Sequence, residues 1–152
     1  MKKTTFDKLD PQQKAALSAA KKVMENSYSP YSGFMVGAAL YGNLLKEVVT
    51  GTNFENASYG LTICAERVAL FNANTIGARN FRGIAIIGKG KDFDTKKLTG
   101  PCGACRQVLL ELAQASGHDL EVILSTTNMD EIGITSIDEL LPFSFGPDNL
   151  KE

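Results

Sequence analysis

The sequence lacks a basic excess, a long apolar run and an apolar leader. Its 152 residues hold 16 lysines and arginines against 17 aspartates and glutamates, for a net charge of −1 at pH 7. Nucleic-acid backbones are usually bound by basic clusters, so we expect no nucleic-acid partner. No window approaches the roughly 18 apolar residues of a membrane span, and the opening MKKTTFDKLD does not resemble a signal peptide. We therefore expect a cytoplasmic protein without a membrane partner.

Cysteine and histidine are also scarce. The three cysteines are Cys64, Cys102 and Cys105, and the single histidine is His118. An odd number of cysteines cannot pair off within one chain, and a reducing compartment disfavours disulfides. Composition alone leaves two interpretations open, namely three small buried side chains or a site with chemistry. Their spacing decides between the two.

The remaining pattern alternates helices and strands. Asp10 and Pro11 are typical of a helix start, and DPQQKAALSAAKKVMENSY is predicted to be the first helix. The sequence then predicts a hairpin with its turn at 42–45, a helix from about 62 to 74, a central strand in FRGIAIIGKG and a helix over 102–116. LEVILST is predicted to be a strand, EIGITS a further possible strand and SIDELL a short capped helix.

Length and element order together predict one domain over residues 1–152. A chain of this length forms one ordinary domain with its own core. Helices that connect successive strands require at least part of the sheet to be parallel. The predicted fold class is therefore α/β, as a three-layer α/β/α sandwich around a mixed five-stranded sheet.

The stretch PCGAC places two thiols on one face of a helix start. Cys102 and Cys105 are three positions apart, which is a common half of a zinc site. The positive end of the helix dipole favours thiolates there. A thioredoxin-type redox pair has the same spacing, so this motif alone is ambiguous.

Cys64 supplies a third thiol at the start of the preceding predicted helix. If the strands beside the two helices are neighbours, both helix starts meet at one edge of the sheet. His118 lies at the far end of the second helix, about 20 Å away, and cannot complete the site. Three protein ligands leave a fourth position for water, which is the pattern of a catalytic zinc site rather than a structural one. Glu66, two residues after Cys64, is the candidate proton shuttle.

This arrangement matches the zinc deaminases, in which a ligand lies two residues before a glutamate and P-C-x-x-C follows. Beyond this motif, the whole chain resembles the cytidine deaminases, in the small homotetrameric branch with three cysteine ligands. The resemblance rests on YSPYSGFMVGAAL, NFENASYGLTICAER, PCGACRQVL and ELLPFSFGPDNL, in that order. It implies the cytidine deaminase fold and one Zn²⁺ per chain. It also implies hydrolytic deamination of cytidine and deoxycytidine to uridine and deoxyuridine in pyrimidine salvage.

The resemblance also implies roles for individual residues. Asn53 and Glu55 correspond to the pair that binds the ribose hydroxyls, and Phe34 to an aromatic lining of the base pocket. Phe145 corresponds to a residue that enters a neighbouring subunit's site. The further residues implied in substrate binding are Asn56, Ala57, Tyr59 and Ala65. On sequence alone, Asn53 and Glu55 would be interpreted as polar loop residues, and Phe34 and Phe145 as core or rim residues. The resemblance reverses this preference.

Mechanistically, zinc-bound hydroxide would attack C4 of the pyrimidine while Glu66 moves the protons. Three thiolates on Zn²⁺ carry a net charge of −1, which opposes hydroxide formation. Arg67 follows the shuttle directly and is predicted to donate hydrogen bonds to the thiolates. Arg106, after Cys105, could be no more than a solvated helix residue.

The tail LLPFSFGP carries two phenylalanines between prolines that prevent a continuous helix. Exposed on a monomer, these rings would be an apolar liability. We therefore expect a homotetramer with shared active sites. Whether Phe145 acts in trans or both rings fold back onto their own chain is left open by the sequence. The alternatives are a deaminase of another aminopyrimidine nucleoside such as blasticidin and a non-catalytic, zinc-stabilised binding module.

Overall fold

A computed structural model describes residues 1–42 and 47–150, which form one sheet with helices on both faces. The strands are β1 (Lys2–Thr4), β2 (Phe34–Tyr41), β3 (Val49–Thr52), β4 (Gly83–Gly90), β5 (Glu121–Ser125) and β6 (Ile132–Ser136). The helices are α1 (Pro11–Met24), α2 (Ala65–Thr75), α3 (Gly103–Ser116) and α4 (Ile137–Leu140). Most of the predicted turn at 42–45, and the first residue of the strand predicted after it, lie outside the described residues.

The sheet is mixed, as predicted, with the order β1-β6-β5-β4-β2-β3. Only β4 and β5 among its neighbouring pairs are parallel, and the other pairs are antiparallel. It has six strands rather than the predicted five. The additional strand is β1, which pairs with β6 along Lys2–Thr4. Its three residues show no apolar alternation, so pairing with β6 rather than local sequence defines this strand.

Two apolar clusters, one on each face of the sheet, confirm the three-layer arrangement. In β4, Ile84 and Ile86 face the cluster that contains α2, α3 and α4, whereas Ala85 and Ile87 face the cluster that contains α1. This alternation follows from the two-residue period of a strand. Because β4 is buried on both faces, its sequence is a continuous apolar run rather than an alternating one.

Helix α1 is fixed to one end of the sheet by polar contacts. The Asp10 side chain accepts from the Gln13 backbone N–H at 3.0 Å, and the Gln13 side chain accepts from the Asp10 N–H, which forms a capping box. Asp10 also accepts from Arg82 at 2.6 Å, and the Arg82 guanidinium lies 3.4 Å from Glu121. The predicted helix start at Asp10 and Pro11 is therefore confirmed.

Helices α2 and α3 flank β4 in the sequence and start at the same part of the molecule. Cys64 is the N-cap residue of α2, and Cys102 is the N-cap residue of α3. Helix α2 lies directly on β3, because a Cβ atom at Gly51 would lie 2.5 Å from the Ala65 carbonyl oxygen. This close approach requires glycine and holds the start of α2 against the sheet.

The C-terminal elements follow the predictions closely. EIGITS contains β6, and Ser136 caps α4 by accepting from the Glu139 N–H at 3.3 Å. Helix α3 ends at Gly117, whose φ of +75° is the left-handed conformation expected of a C-cap glycine. Within residues 1–42 and 47–150, the structure has no helix long and apolar enough to cross a membrane.

Candidate active site

Three thiols converge where α2 and α3 begin. The sulfur atoms of Cys64, Cys102 and Cys105 all lie within 4.8 Å of one another. Sγ of Cys102 is 3.9 Å from Sγ of Cys64 and 3.5 Å from Sγ of Cys105. The structure therefore brings together the three residues that the sequence predicted as a ligand set, although 38 positions separate Cys64 from Cys102.

The spacing of the sulfur atoms fits one tetrahedral zinc ion. A Zn–S bond of about 2.3 Å and a tetrahedral angle require neighbouring sulfurs to be about 3.8 Å apart. The two measured distances lie on either side of this value. The three free thiols are at graded depths, with Cys105 buried, Cys64 half-buried and Cys102 exposed. This donor set can hold one metal ion and leaves one side of it accessible.

The environment of Cys64 favours the thiolate. Hydrogen bonds from the Cys105 thiol and the Arg67 guanidinium lower the pKa of Cys64 to about 5, against the opposing effect of burial. The same contact with Cys64, together with burial, raises the pKa of Cys105 above its usual range. Metal binding favours the deprotonated form of all three thiols, because thiolates are the ligands.

Glu66 is buried beside this cluster, in the first turn of α2. Only 4% of the residue's surface is exposed to solvent. Burial raises the pKa of Glu66 to about 7, and the charge of Cys64 adds to this effect, while the Cys105 thiol and Arg67 partly offset it. A carboxyl group with this pKa is suited to both taking up and releasing a proton at neutral pH.

Arg67 reaches back over the start of its own helix to Cys64. Its Nη2 atom lies 3.6 Å from the Cys64 sulfur and donates to the Thr62 carbonyl at 3.1 Å. The Thr62 bond fixes the guanidinium in place, so that its charge stays beside the thiolate. The structure thus places Arg67 in contact with a predicted metal ligand.

The loop with the predicted ribose contacts is joined to the start of α2. Phe54 and Ile63 exchange two backbone hydrogen bonds of 3.0 Å each. This bridge brings residues 53–55 next to Cys64. On its other side, the Phe54 ring stacks on the Tyr28 ring with 4.7 Å between centroids. The loop is therefore held from both sides.

Asn53 and Glu55 lie in this loop and already have protein partners. Asn53 is 9% exposed and accepts from the Val36 N–H at 2.8 Å. Glu55 accepts from the backbone N–H groups of Tyr31 and Ser32 at 2.9 and 3.2 Å. Hydrogen bonds from the Ser32 hydroxyl and from these N–H groups hold the pKa of Glu55 below its usual value.

The other residues predicted to bind the substrate differ in how far they are exposed to solvent. Phe34, half-buried at the start of β2, donates its N–H to Ser32 Oγ at 2.9 Å. Ala65 is fully buried at the start of α2. Asn56 is half-buried, and Ala57 and Tyr59 are exposed. A cavity of about 380 Å³ in this region is lined by Tyr31, Ser32, Glu55, Tyr59 and Thr62.

Two phenylalanines of the C-terminal tail are exposed in the single chain. Phe145 is 64% exposed, and its carbonyl accepts from the Gln107 side chain at 2.8 Å. Phe143 is fully exposed, with a left-handed φ of +55°. Both rings therefore have apolar surface available for contact with another chain.

Several supporting side chains could not be recognised from the sequence. Arg106 is half-buried rather than a purely solvated helix residue, because it donates to the carbonyls of Pro101 and Leu140 at 3.0 and 2.9 Å. It thereby links the loop before Cys102 to the end of α4. Thr62, whose hydroxyl accepts from the Asn56 N–H, was also missed, because it looks like an ordinary loop residue.

His118 lies at the opposite end of α3, as predicted. It is exposed, and its Nδ1 atom is 2.9 Å from the Asp119 carbonyl oxygen. A separate cavity of about 590 Å³ beside it is lined by α3 and tail residues, and none of the three cysteines contributes to it. The histidine thus takes no part in the thiol cluster.

Comparison with known proteins agrees with this geometry. Residues 10–116 match the family model of the cytidine and deoxycytidylate deaminase zinc-binding region. The chain belongs to this deaminase family. It is a zinc-dependent hydrolytic deaminase, and the cluster of Cys64, Cys102 and Cys105 is positioned to hold the metal ion.

Individual relatives cover almost the whole deaminase. It is 45% identical over 138 residues to a cytidine deaminase of Halalkalibacterium halodurans, which covers 90% of this chain and 96% of the relative. The crystal structure of a cytidine deaminase from Burkholderia pseudomallei superposes with a TM-score of 0.75 at 46% identity, over 86% and 97% of the two chains. For a cytidine deaminase from Mycobacterium tuberculosis, the TM-score is 0.70 at 31% identity, over 90% and 99%. The predicted fold class is thereby confirmed.

Proposed function

We propose that this deaminase converts cytidine and deoxycytidine to uridine and deoxyuridine, with release of ammonia. The observation that carries the proposal is the buried Glu66 carboxyl beside three thiols that converge on one point. Relatives that are 45% and 46% identical to this chain bear the name cytidine deaminase. Salvage of free pyrimidine nucleosides is the metabolic role that fits such a reaction.

Glu66 moves the protons in this reaction. Cys64, Cys102 and Cys105 would hold the zinc ion, which would supply a Lewis acid to activate water for attack at C4 of the pyrimidine. Glu66 takes the proton of the attacking water and delivers it to N3, and it then assists protonation of the leaving amine. The carboxyl group must serve as base and then as acid, which its position in a buried site with a pKa of about 7 supports.

The surrounding residues bind and orient the nucleoside. Asn53 and Glu55 contact the ribose hydroxyls, Phe34 lines the base pocket, and the Ala65 backbone contacts the base. Asn56, Ala57 and Tyr59 form the remainder of the substrate-binding segment. Support for these roles comes from the Phe54–Ile63 bridge, which places this segment beside Cys64.

Arg67 compensates the charge of the thiolates. Its contact with Cys64 at 3.6 Å withdraws electron density from a ligand that would otherwise weaken the Lewis acid. Arg67 does not touch the substrate in this proposal. It acts through the ligand and is a positioning and charge-compensating residue.

The active enzyme is proposed to be a homotetramer in which Phe145 completes a neighbour's site. Phe143 and Phe145 are exposed on the single chain, as is Phe71 on α2, which is 50% exposed. Between α2 and α3, a groove of about 520 Å³ is lined by residues that include Phe71 and Val108. Assembly would bury these apolar surfaces, and closed symmetric assembly is the common way to do so.

We also propose that residues 1–152 form a single domain that works in the cytoplasm. One sheet takes its strands from Lys2 to Ser136, which supports the single domain. Three free thiols within 4.8 Å of one another are typical of a reducing compartment.

Cytidine turnover by the purified protein tests the proposed reaction. The assay follows the fall in cytidine absorbance and the release of ammonia, with and without a zinc chelator. We expect chelator-sensitive formation of uridine, restored by added zinc. Turnover of blasticidin in preference to cytidine would identify a different aminopyrimidine deaminase. A zinc-loaded protein without any turnover would identify a binding module instead.

The assembly is tested by light scattering and by mixing inactive variants. A monomer at working concentration would contradict the tetramer. If Phe145 acts in trans, mixed tetramers of Glu66→Gln and Phe145→Ala chains contain some sites with both intact residues, so activity partly returns. If Phe145 acts in cis, each chain lacks one of the two and no activity returns.

A further inference from the structure

The segment from Ser27 to Ser32, between α1 and β2, packs against the loop of residues 53–55, which carries the proposed ribose contacts. The Tyr28 N–H donates to the Asn53 carbonyl at 3.1 Å, and the Glu55 N–H donates to the Tyr28 carbonyl at 2.8 Å. Together with the stacked rings of Tyr28 and Phe54, these bonds tie the two segments into one unit. Residues of this segment that bond to the Asn53 or Glu55 side chain can therefore determine how these two residues face a ligand.

Backbone groups fix the orientation of the Asn53 amide. The Val36 N–H, which can only donate, lies 2.8 Å from Oδ1. The Phe34 carbonyl, which can only accept, lies 2.9 Å from Nδ2. The oxygen and nitrogen of this amide are therefore distinguished by partners of unambiguous chemistry, and exchanging them would break both bonds.

Ser27 fills the remaining acceptor capacity of this amide. Its hydroxyl lies 2.6 Å from Asn53 Oδ1, so the oxygen accepts from both Ser27 and Val36. A carbonyl oxygen has two lone pairs, and both are now used. The remaining hydrogen on Nδ2 is not used by any of these bonds. Held in this way, Asn53 can offer a ligand a donor but no acceptor.

Glu55 has the opposite polarity. Its carboxylate accepts from Tyr31 N, Ser32 N and the Ser32 hydroxyl, which leaves one of about four lone-pair sites. An ionised carboxylate can only accept. A fixed donor two positions before a fixed acceptor matches a hydroxyl group, which both accepts and donates.

We infer that Ser27 is a positioning residue for the sugar of the substrate, because its hydroxyl commits Asn53 to act as a donor. The inference rests on the proposed role of Asn53 and Glu55 in binding ribose hydroxyls. Removal of the Ser27 hydroxyl leaves a free lone pair on Oδ1, which water can occupy. It also releases one of the three bonds that hold the amide.

The test compares Ser27→Ala with the parent on cytidine, 2′-deoxycytidine and 3′-deoxycytidine. We expect Ser27→Ala to lower kcat/KM for cytidine about three- to tenfold, as one lost hydrogen bond predicts, mainly through KM. On the analogue that lacks the hydroxyl bound by Asn53, the loss should be less than about twofold. Ser27→Thr keeps the hydroxyl and should restore kcat/KM to within about twofold of the parent.

Ser29→Ala is the matched control in the same segment. Among residues 1–42 and 47–150, none forms a hydrogen bond with the Ser29 hydroxyl, so this variant should behave as the parent on all three substrates. The melting temperature of each variant, measured by circular dichroism, separates loss of folding from loss of binding.

Three outcomes would overturn the inference, and they are distinguishable. If the parent discriminates against a deoxy analogue but Ser27→Ala loses the same factor on all three substrates, Ser27 has only a structural role. If Ser27→Ala loses no activity on cytidine, Ser27 does not position the substrate. If the parent itself is indifferent to both hydroxyls, the ribose role of Asn53 and Glu55 fails, and the inference fails with it.

Discussion

Replacing Arg67 by alanine should lower turnover much more than it lowers zinc content. The side chain contributes a positive charge 3.6 Å from the Cys64 sulfur and a hydrogen bond to the Thr62 carbonyl. With three thiolates, the zinc centre carries a net charge of −1, which opposes activation of water. Arg67→Ala removes the positive charge that compensates the thiolates, but it leaves all three zinc ligands in place.

The size of the effect follows from the distance. Two unit charges 3.6 Å apart attract by about 4–5 kcal/mol at an effective dielectric constant of about 20. Arg67 is only half-buried, so solvent screening reduces this value. Loss of a partner that supports a metal ligand typically costs about 10–100-fold, or about 1.4–2.7 kcal/mol. We therefore expect turnover per bound zinc to fall by about 10–100-fold.

The assay combines elemental zinc analysis with cytidine turnover on the same preparation. Arg67→Lys keeps the charge but not the planar guanidinium, and its turnover should lie between the parent and Arg67→Ala. Lys22→Ala, which removes an exposed cation from α1 on the other face of the sheet, should match the parent. If Arg67→Ala keeps its full zinc content and its turnover is unchanged, the Arg67–Cys64 contact is an ordinary ion pair and does not support catalysis.

Three further predictions concern the metal and the fold. One zinc per chain is expected by elemental analysis, and a Cys64→Ala, Cys102→Ala double variant should lose it; full retention of zinc would contradict the ligand assignment. Burial raises the pKa of Asp10, but its hydrogen bonds and its Arg82 partner outweigh burial and lower the pKa overall. The parent should therefore be more stable than Asp10→Asn at neutral pH. In denaturant titrations this difference should fade as the pH falls below about 4. Gly51→Ala should lower the free energy of unfolding by about 1–3 kcal/mol and lower turnover, because a Cβ atom there meets the backbone of α2. Gly60→Ala is the control, because a Cβ atom there has no other atom within 4 Å, and thermal unfolding should show no change.

Local sequence chemistry explains why most of the fold could be predicted. Asp10 accepts from a free N–H at the helix start, Pro11 has no N–H to satisfy there, and Gly117 takes the positive φ of a helix end, so both boundaries depend on neighbouring residues alone. The apolar run of β4 marks a strand buried on both faces. The β1 strand could not be predicted in this way, because Lys2–Thr4 is defined by its partner β6.

The metal ligands could be predicted because their chemistry is rare and their spacing is constrained. Three thiols and a glutamate at two helix starts have few alternative explanations. The supporting residues differ in this respect. Ser27 and Thr62 are ordinary loop residues in the sequence, and only their distances to Asn53 and Arg67 reveal what they support. Arg106 likewise needs the Leu140 carbonyl, which is distant in the sequence, to reveal its contact.

Turnover of Glu66→Gln at full zinc occupancy shows whether the Glu66 carboxyl carries the protons. Glutamine preserves the size of the side chain in its buried position but cannot carry a proton between water and N3. A general acid–base group typically contributes about 10²–10⁴-fold, and this residue serves in more than one step. We predict one zinc per chain, a melting temperature close to that of the parent and a kcat for cytidine at least about 100-fold lower. A kcat within about threefold of the parent would show that another group carries the protons and would contradict the account.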